Sequence, residues 1–392
     1  MSDQGPNRRW SIPLPAELHD HIVDHLWDDR AALLSCALAY RESLPATRYH
    51  LFKDVRIEKR SRVTRNSPPR YLRDVVTVAR RHRNLENVHT LSLIGMPLFT
   101  PTDTLDGRDP CLLPKAFPKV KAINFTLPVT YICVNNIVEL LRAFPALSSV
   151  RMGSGGHLVR MNGYAEQSKL SLSAGRGMPT ITVRRLVLKH PDYSVGIAEA
   201  VLMEPFAPQI QMLRLESIRG QDLNAIGRLL HAAGTYLEHL EISMPAVYRP
   251  RPDFKHTVSP FCPTYNTHLS VLRLEADARQ LTTRREDFLW LIPVLTATRS
   301  PLLSVLSITC TMHTETDVSL LDWDRLDAAI VRRALEAPQL RVSILFIVYV
   351  RPENWSPRLG EVMNVERLAS RLPMSRRALG DSFKFQLKFV RR

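Results

Sequence analysis

The stretch Ile210-Gln211-Met212-Leu213-Arg214-Leu215-Glu216 returns 27 residues later as Leu237-Glu238-His239-Leu240-Glu241-Ile242-Ser243. Both copies are apolar at positions one, four and six, with polar or charged residues at five and seven. Side chains alternate across a strand with a period of two, so such a segment buries one face and exposes the other. Working outward, the triplet recurs as Val88/Leu91/Leu93, Val120/Ile123/Phe125, Leu147/Val150/Met152 and Val183/Leu186/Leu188. Further copies are Leu269/Leu272/Leu274 and Leu303/Leu306/Ile308. The eight middle residues stand 32, 27, 36, 27, 27, 32 and 34 positions apart. Segments of helical periodicity lie between them, at 71–81, 135–143, 223–232, 286–297 and 325–336. Pro118, Pro145, Pro208, Pro301 and Pro338 precede several copies. Proline cannot continue a helix, and it is expected to set an extended entry to the strand. Strand, turn and helix repeated in this way predict an α/β solenoid with a curved parallel sheet on its concave side.

The register also names a candidate binding face. Residues between the buried positions point away from the core, which places Arg151, Arg185, Lys189, Arg214, Glu216, His239, Glu241, Arg273 and Glu275 on the concave surface. Arg151, Arg214, Glu241 and Arg273 are expected in one column, Arg185 and His239 in the column before it, and Lys189, Glu216 and Glu275 in the column after. Arg214 should reach Glu241, and Glu241 should reach Arg273. Arg151, Arg185 and Lys189 would then remain for an acidic or phosphorylated target. Two stretches, 153–179 and 245–267, lengthen their repeats and are alternative target sites. A ninth copy slips, since Leu340 is followed by Ser343 and Leu345, so the strand over 341–350 is expected to change register. Its apolar run 344–350 suits a strand buried on both faces. Residues 383–390 alternate as a last strand would.

Residues 12–52 predict three short helices. Pro13-Leu14-Pro15 suits a helix start, and Leu18, Ile22, Val23 and Leu26 form an apolar stripe. Asp28 or Asp29 can cap a second helix over 30–40, and a third runs from about 45 to 52. So few residues enclose little interior, which leaves apolar surface for a partner. The run Leu14-Pro15-Ala16-Glu17-Leu18, with Ile22, Val23, Leu26 and Leu33-Leu34-Ser35-Cys36-Ala37-Leu38, resembles an F-box. Leu44-Pro45-Ala46-Thr47-Arg48-Tyr49-His50-Leu51-Phe52 resembles the end of the F-boxes abundant in mushroom-forming fungi.

The resemblance implies docking on the Skp-type linker subunit of a cullin–RING ubiquitin ligase through Leu14, Pro15, Leu18, Ile22, Leu26 and Leu33. The family's usual cysteine and tryptophan correspond here to Tyr40 and Ser43, and Ser43→Trp is expected to strengthen docking. The repeats resemble the leucine-rich repeats found behind many F-boxes. They depart from that pattern where an asparagine or cysteine is usual, with Met96, Pro128, Gly155, Pro191, Ile218, Pro245, Asp277 and Thr311. No side-chain ladder can form from that set, so the turns must satisfy their backbone otherwise.

Composition bounds the remainder. The chain has 392 residues, 45% hydrophobic, with 15 glycines and 28 prolines, enough apolar content for a large core and too little glycine for a fibrous repeat. Its five cysteines are scattered, which suits a reducing compartment rather than a disulfide scaffold. The first ten residues lack a signal-peptide core and no apolar run reaches the ~20 residues of a membrane span. The expected setting is cytoplasmic or nuclear, without a membrane partner. Over half of the +15 net charge falls at 53–83, where eleven basic residues face three acidic ones. The sharpest part, 59–65, reads as a solvated loop, with an acidic protein or RNA as the alternative partner. His21 and His25 lie one helical turn apart without a second ligand cluster, so no metal is expected. No nucleophile elbow, phosphate loop or zinc-protease motif occurs, and no cofactor or catalytic role is expected. The domain reading is a disordered 1–11, an F-box-like module at 12–52, a basic linker at 53–70 and a leucine-rich-repeat-like domain at 71–392. The functional expectation is a substrate-recognition adaptor of a ubiquitin ligase, and the alternative is a repeat scaffold outside any ligase.

Overall fold

The computed structural model describes residues 15–58, 85, 87–94, 112–127, 134–154, 180–189, 191–218, 222–245, 261, 263–277, 290–312, 318, 321–350 and 364–391. Three helices come first: α1 (Ala16–His25), α2 (Arg30–Ala39) and α3 (Leu44–Phe52). Pro15 is the N-cap of α1, and the Asp29 carboxylate caps α2 by accepting from the Ala32 N–H at 2.9 Å. Val23, Leu33 and Thr47 form the small interior of this module. His50 Nε2 on α3 meets Asp24 Oδ1 on α1 at 2.7 Å.

An 11-stranded sheet follows, with every pairing parallel. Its strands are β1 (Asp54–Glu58), β2 (Thr90–Ile94), β3 (Ala122–Leu127), β4 (Ser149–Ser154), β6 (Arg185–Leu188) and β8 (Met212–Glu216). After them come β9 (His239–Pro245), β10 (Val271–Asp277), β11 (Val305–Met312), β12 (Arg341–Val350) and β13 (Phe383–Arg391). A two-stranded sheet pairs β5 (Ile181–Thr182) with β7 (Phe206–Ala207). The connecting helices are α4 (Leu112–Ala116), α5 (Val134–Arg142), α6 (Pro191–Val201), α7 (Leu223–Ala233), α8 (Leu291–Ala297), α9 (Trp323–Glu336), α10 (Val365–Ala369) and α11 (Pro373–Leu379). The protein is thus an α/β solenoid preceded by a helical segment. All twenty-four apolar residues of the eight sequence copies are at most 1% exposed, and one core cluster runs from Ile57 to Leu372. The helical segment read at 71–81, most of the two stretches 153–179 and 245–267, and residues 59–70 of the basic linker lie outside the described residues.

Several expectations change. Residues 54–58, read as the start of a linker, form β1, because Phe52, Val55 and Ile57 repeat the apolar triplet. The ninth copy does not slip: Val342 pairs with Leu306 and Ile344 with Ile308, so both fill the usual buried columns. Its turn is simply one residue shorter than in the other copies. Leu345, Ile347 and Tyr349 are only half-buried, so β12 is covered on one face and not on both. The prolines also act differently from the extended entry expected of them. Pro118, Pro145, Pro301 and Pro338 each occupy the second position of a tight turn. In each, the first triplet residue closes back, as Leu147 N–H does on the Phe144 carbonyl at 3.1 Å and Leu340 N–H on Ala337 at 3.0 Å. A fixed φ near −65° is what that turn position requires.

The strand entries share one device. The carbonyls of Lys53, His89, Lys121, Ser148, Arg184, Gln211, Glu238 and Ser270 each accept two successive N–H groups of the next repeat, at 2.7–3.1 Å. A carbonyl has two lone pairs, so one acceptor satisfies both donors. Hydroxyls add to the row, with Ser270 Oγ donating to the Glu238 carbonyl and Ser304 Oγ to that of Ser270. This backbone ladder runs along the strand entries, at the opposite end of the strands from the positions where the side-chain ladder is missing.

The C-terminal end closes on an aromatic stack of Trp323, Phe346 and Phe385, with the Arg371 guanidinium over the Trp323 ring. Asp327 on α9 is buried, and its carboxylate accepts from the N–H groups of Met374 (2.9 Å) and Ser375 (2.7 Å) and from the Ser375 hydroxyl. These are the first-turn donors of α11, whose own N-cap, Leu372, offers no side-chain oxygen. Asp327 therefore caps a helix 47 residues away in sequence. Asp327→Ala should destabilise the protein by about 2–3 kcal/mol, the cost of orphaning buried donors bonded to a charge. Urea unfolding would measure the loss, and hydrogen exchange should show it first at the α11 amides.

Candidate functional site

Two surfaces stand out, one on the helices and one on the sheet. On α1, Leu18 and Ile22 lie one turn apart and are each 47% exposed. On α2, Leu34 and Leu38 repeat the spacing, with Leu38 at 89%. Trp27 in the α1–α2 turn and Tyr40 after α2 are also exposed, and the Tyr40 ring sits 5.7 Å from that of His19 on α1. Burial explains which residues stay inside: Val23 and Leu33 hold the three helices together, which turns the neighbouring apolar positions outward.

Of the six residues expected to dock a linker, Pro15, Leu18 and Ile22 are exposed and Leu26 is half-buried at the C-cap of α1. Leu33 is corrected: at 2% exposure it belongs to the interior and presents no side chain to a partner. Leu14 lies outside the described residues. The sequence reading missed Trp27, Leu34, Leu38 and Tyr40 as surface groups, although the Leu34/Leu38 spacing opposite Leu33 signals a second apolar face. Ser43 also differs from expectation. It is buried between α2 and α3, where its hydroxyl donates to the carbonyls of Cys36 (3.0 Å) and Tyr40 (2.9 Å). A larger side chain there would displace both hydrogen bonds.

On the sheet, cross-strand pairing aligns Arg214 with Glu241 and Glu241 with Arg273, and places Val187 between Arg151 and Arg214. Arg185 and His239 fall in the preceding column, on either side of Met212. Glu216 and Glu275 fall in the following column on either side of Ser243, and Lys189 follows directly after β6. Lys189 Nζ meets Glu216 Oε1 at 2.6 Å, Arg214 Nε meets the same oxygen at 2.7 Å, and Arg214 Nη2 meets Glu241 Oε1 at 3.3 Å. Lys189 is thus paired, contrary to the expectation that left it for a target. Glu241 and Arg273 are aligned, but no ion pair joins them among the described residues. Beyond Arg273 hydroxyls appear on the surface, and a concavity of about 370 Å³ is lined there by Glu241, Arg273, Leu274, Glu275, Val305, Ser307, Thr309 and Ser343.

His239 sits among these charges. Burial pushes its pKa below the ordinary value of 6.5, the Arg273 guanidinium lowers it further, Glu241 opposes, and Arg185 and Arg214 add smaller repulsions. Its Nε2 and Glu241 Oε2 have no hydrogen-bond partner among the described residues. No group of three His, Cys, Asp or Glu that could hold a metal ion occurs among the described residues. No helix there is long and apolar enough to cross a membrane.

No family model matches the chain, and no curated protein matches it. Among solved structures it is similar to a chain of the yeast Rad7 and Elc1 complex, at 14% identity and a TM-score of 0.35, over 85% of this chain and 88% of that chain. So loose an overlap carries no argument about function.

Two measurements check the sheet's electrostatics. A double-mutant cycle with Lys189→Ala and Glu216→Ala should give a coupling of only about 0–1 kcal/mol, since both side chains remain partly hydrated. For His239 the unfolded chain binds more protons between the depressed folded pKa and about 6.5. Stability should therefore fall as pH drops through that window and be fully diminished below it. His239→Gln should flatten this part of the acid limb, and Arg273→Ala should raise the His239 midpoint seen by NMR.

Proposed function

We propose that the protein is an adaptor without an active site of its own, a substrate-recognition subunit of a Skp–cullin–F-box type ubiquitin ligase. In this reading the N-terminal helices dock a linker subunit and the concave sheet face receives a target protein. Bringing the target to the ligase would raise its effective concentration there, which needs no chemistry from this chain. The observation that carries the reading is the outward apolar surface of a module too small to bury it, with Leu18 and Ile22 on α1 and Leu34 and Leu38 on α2. Side chains of this kind are anchors for an apolar groove on a partner. The F-box resemblance of residues 14–52 names the partner class.

The test is capture by a purified Skp-type linker subunit. Leu18→Asp with Ile22→Asp should abolish capture while circular dichroism and thermal unfolding of the solenoid stay as in the wild type. Sinking carboxylates into an apolar interface costs several kcal/mol. Leu33→Asp should also lose capture, but by unfolding the module, which limited proteolysis would report. Ser43→Trp should weaken capture, because it breaks the α2–α3 junction instead of supplying an anchor. Undiminished capture by the Leu18/Ile22 variant would overturn the adaptor reading.

A further inference from the structure

The charges on the concave face are not equivalent. Glu216 and Glu241 are engaged by Lys189 and Arg214, so the middle of the face is internally neutral. Arg151, Arg185 and Arg273 have no ion pair among the described residues. They are spread out, not gathered. Arg185 pairs in register with Ser149, two residues before Arg151, so Arg151 and Arg185 are diagonal neighbours roughly 7–8 Å apart. From Arg185 on β6 to Arg273 on β10 the sheet crosses three strand spacings, about 14 Å at about 4.8 Å each, and one step of two residues along the strand, so the two positions lie about 16 Å apart. An extended peptide advances about 3.3 Å per residue, so four residues cover about 13 Å, and the long arginine and glutamate side chains close the remaining few ångströms. Residues four apart in an extended chain face the same way.

We propose that the concave face binds an extended acidic segment of a partner protein, laid across β4 to β10, with carboxylates four residues apart on Arg185 and Arg273. This rests on the reading of that face as the target surface and adds the chemistry of the target. Arg151 takes a further carboxylate beside Arg185. At the other end, the concavity of about 370 Å³ also holds Glu241 and Glu275, so the segment passes it with uncharged residues whose peptide carbonyls accept from the hydroxyls of Ser307 and Ser343. One phosphate group reaches Arg151 and Arg185 together but leaves Arg273 unused, so separated carboxylates suit the spacing better. His239 lies between the two arginines, facing Arg185, Arg214, Arg273 and Glu241, with Met212 and Val271 beside it in its column. Carboxylates seated on Arg185 and Arg273 cancel repulsion that now disfavours its proton, so its titration reports occupancy.

The experiment uses the full chain and a fluorescein-labelled nine-residue peptide with glutamate at its first, third and seventh positions, to match Arg151, Arg185 and Arg273, and serine elsewhere. Its lysine counterpart and an oligouridine nonamer serve as competitors, with anisotropy read near 0.15 M salt, where bulk attraction is largely screened. The glutamate peptide is expected to bind and the lysine peptide to fail. Arg185→Ala with Arg273→Ala should weaken binding about tenfold or more, from loss of charge-assisted hydrogen bonds. Arg325→Ala with Arg332→Ala, which removes the same charge from α9, should leave it unchanged. Arg185→Glu with Arg273→Glu should transfer binding to the lysine peptide, a gain that misfolding cannot produce. The NMR midpoint of His239 should rise when the glutamate peptide is added.

Equal weakening by the α9 pair would overturn the proposal, as would no peptide binding, or a reversed variant whose preference is unaltered. Displacement of the peptide by a lower concentration of oligouridine would overturn it in favour of nucleic acid. Linker capture is measured on the same preparations. Peptide failure with intact linker capture overturns this inference alone, whereas peptide binding without linker capture overturns the adaptor reading alone.

Discussion

At eight successive strand entries a single peptide carbonyl holds two N–H groups of the next repeat, from Lys53 through to Ser270. Everything else in the solenoid hangs on that contact. Two bonds to one oxygen fix both the separation and the register of the incoming strand before any side chain is packed. Sheet pairing then continues residue by residue, and the second and third triplet positions fall into the same two buried columns along the whole array. A one-residue error at an entry would send every following side chain to the wrong face.

Because register is set there, the repeats tolerate wide variation elsewhere. Val150 and Leu186 stand 36 residues apart and still pair directly, as do Leu213 and Leu240 at 27. The extra residues of the longer repeat fall at 155–179, outside the described residues. Proline turns contribute by delivering each chain to the entry at a set angle. Where the turn is a residue shorter, before Val342, the strand still arrives in register with β11. Polar side chains close gaps that the degenerate repeats leave. Asn266 donates to the carbonyls of Leu230 and Gly234 at the end of α7, and Asp327 caps α11.

A parallel sheet with one open face brings like positions of successive repeats within about 5 Å of each other. Charge that the sequence scatters 27 or 32 residues apart is thereby lined up. The outcome depends on order along the column. Arg214 beside Glu241 gives an ion pair, whereas His239 has its affinity for a proton depressed by burial first and then by Arg273 and, more weakly, Arg185. The helical module obeys a different limit. Three short helices can enclose only a few side chains, and once Val23, Leu33 and Thr47 are inside, further leucines must face outward.

The sequence by itself determined the architecture, since period-two burial repeated at intervals of 27–36 residues, with helical segments between, has one stable outcome, a stacked parallel sheet. It also determined which side chains leave that sheet, because alternation is a local property: Arg151, Arg214, Glu241 and Arg273 were readable in one column from spacing alone. Only the tertiary structure decided which of those charges neutralise one another, since pairing Lys189 with Glu216 depends on side-chain reach between strands. It also decided that Leu33 and Ser43 are interior, because in a short amphipathic helix several faces look equally apolar until the neighbouring helices choose one. The first strand escaped the reading because Val55 and Ile57 sit among basic residues, and a charged stretch conceals its two buried positions. The pairing of Asp327 with α11 left no local trace at all, since a cap supplied from 47 residues away has no signature at either end.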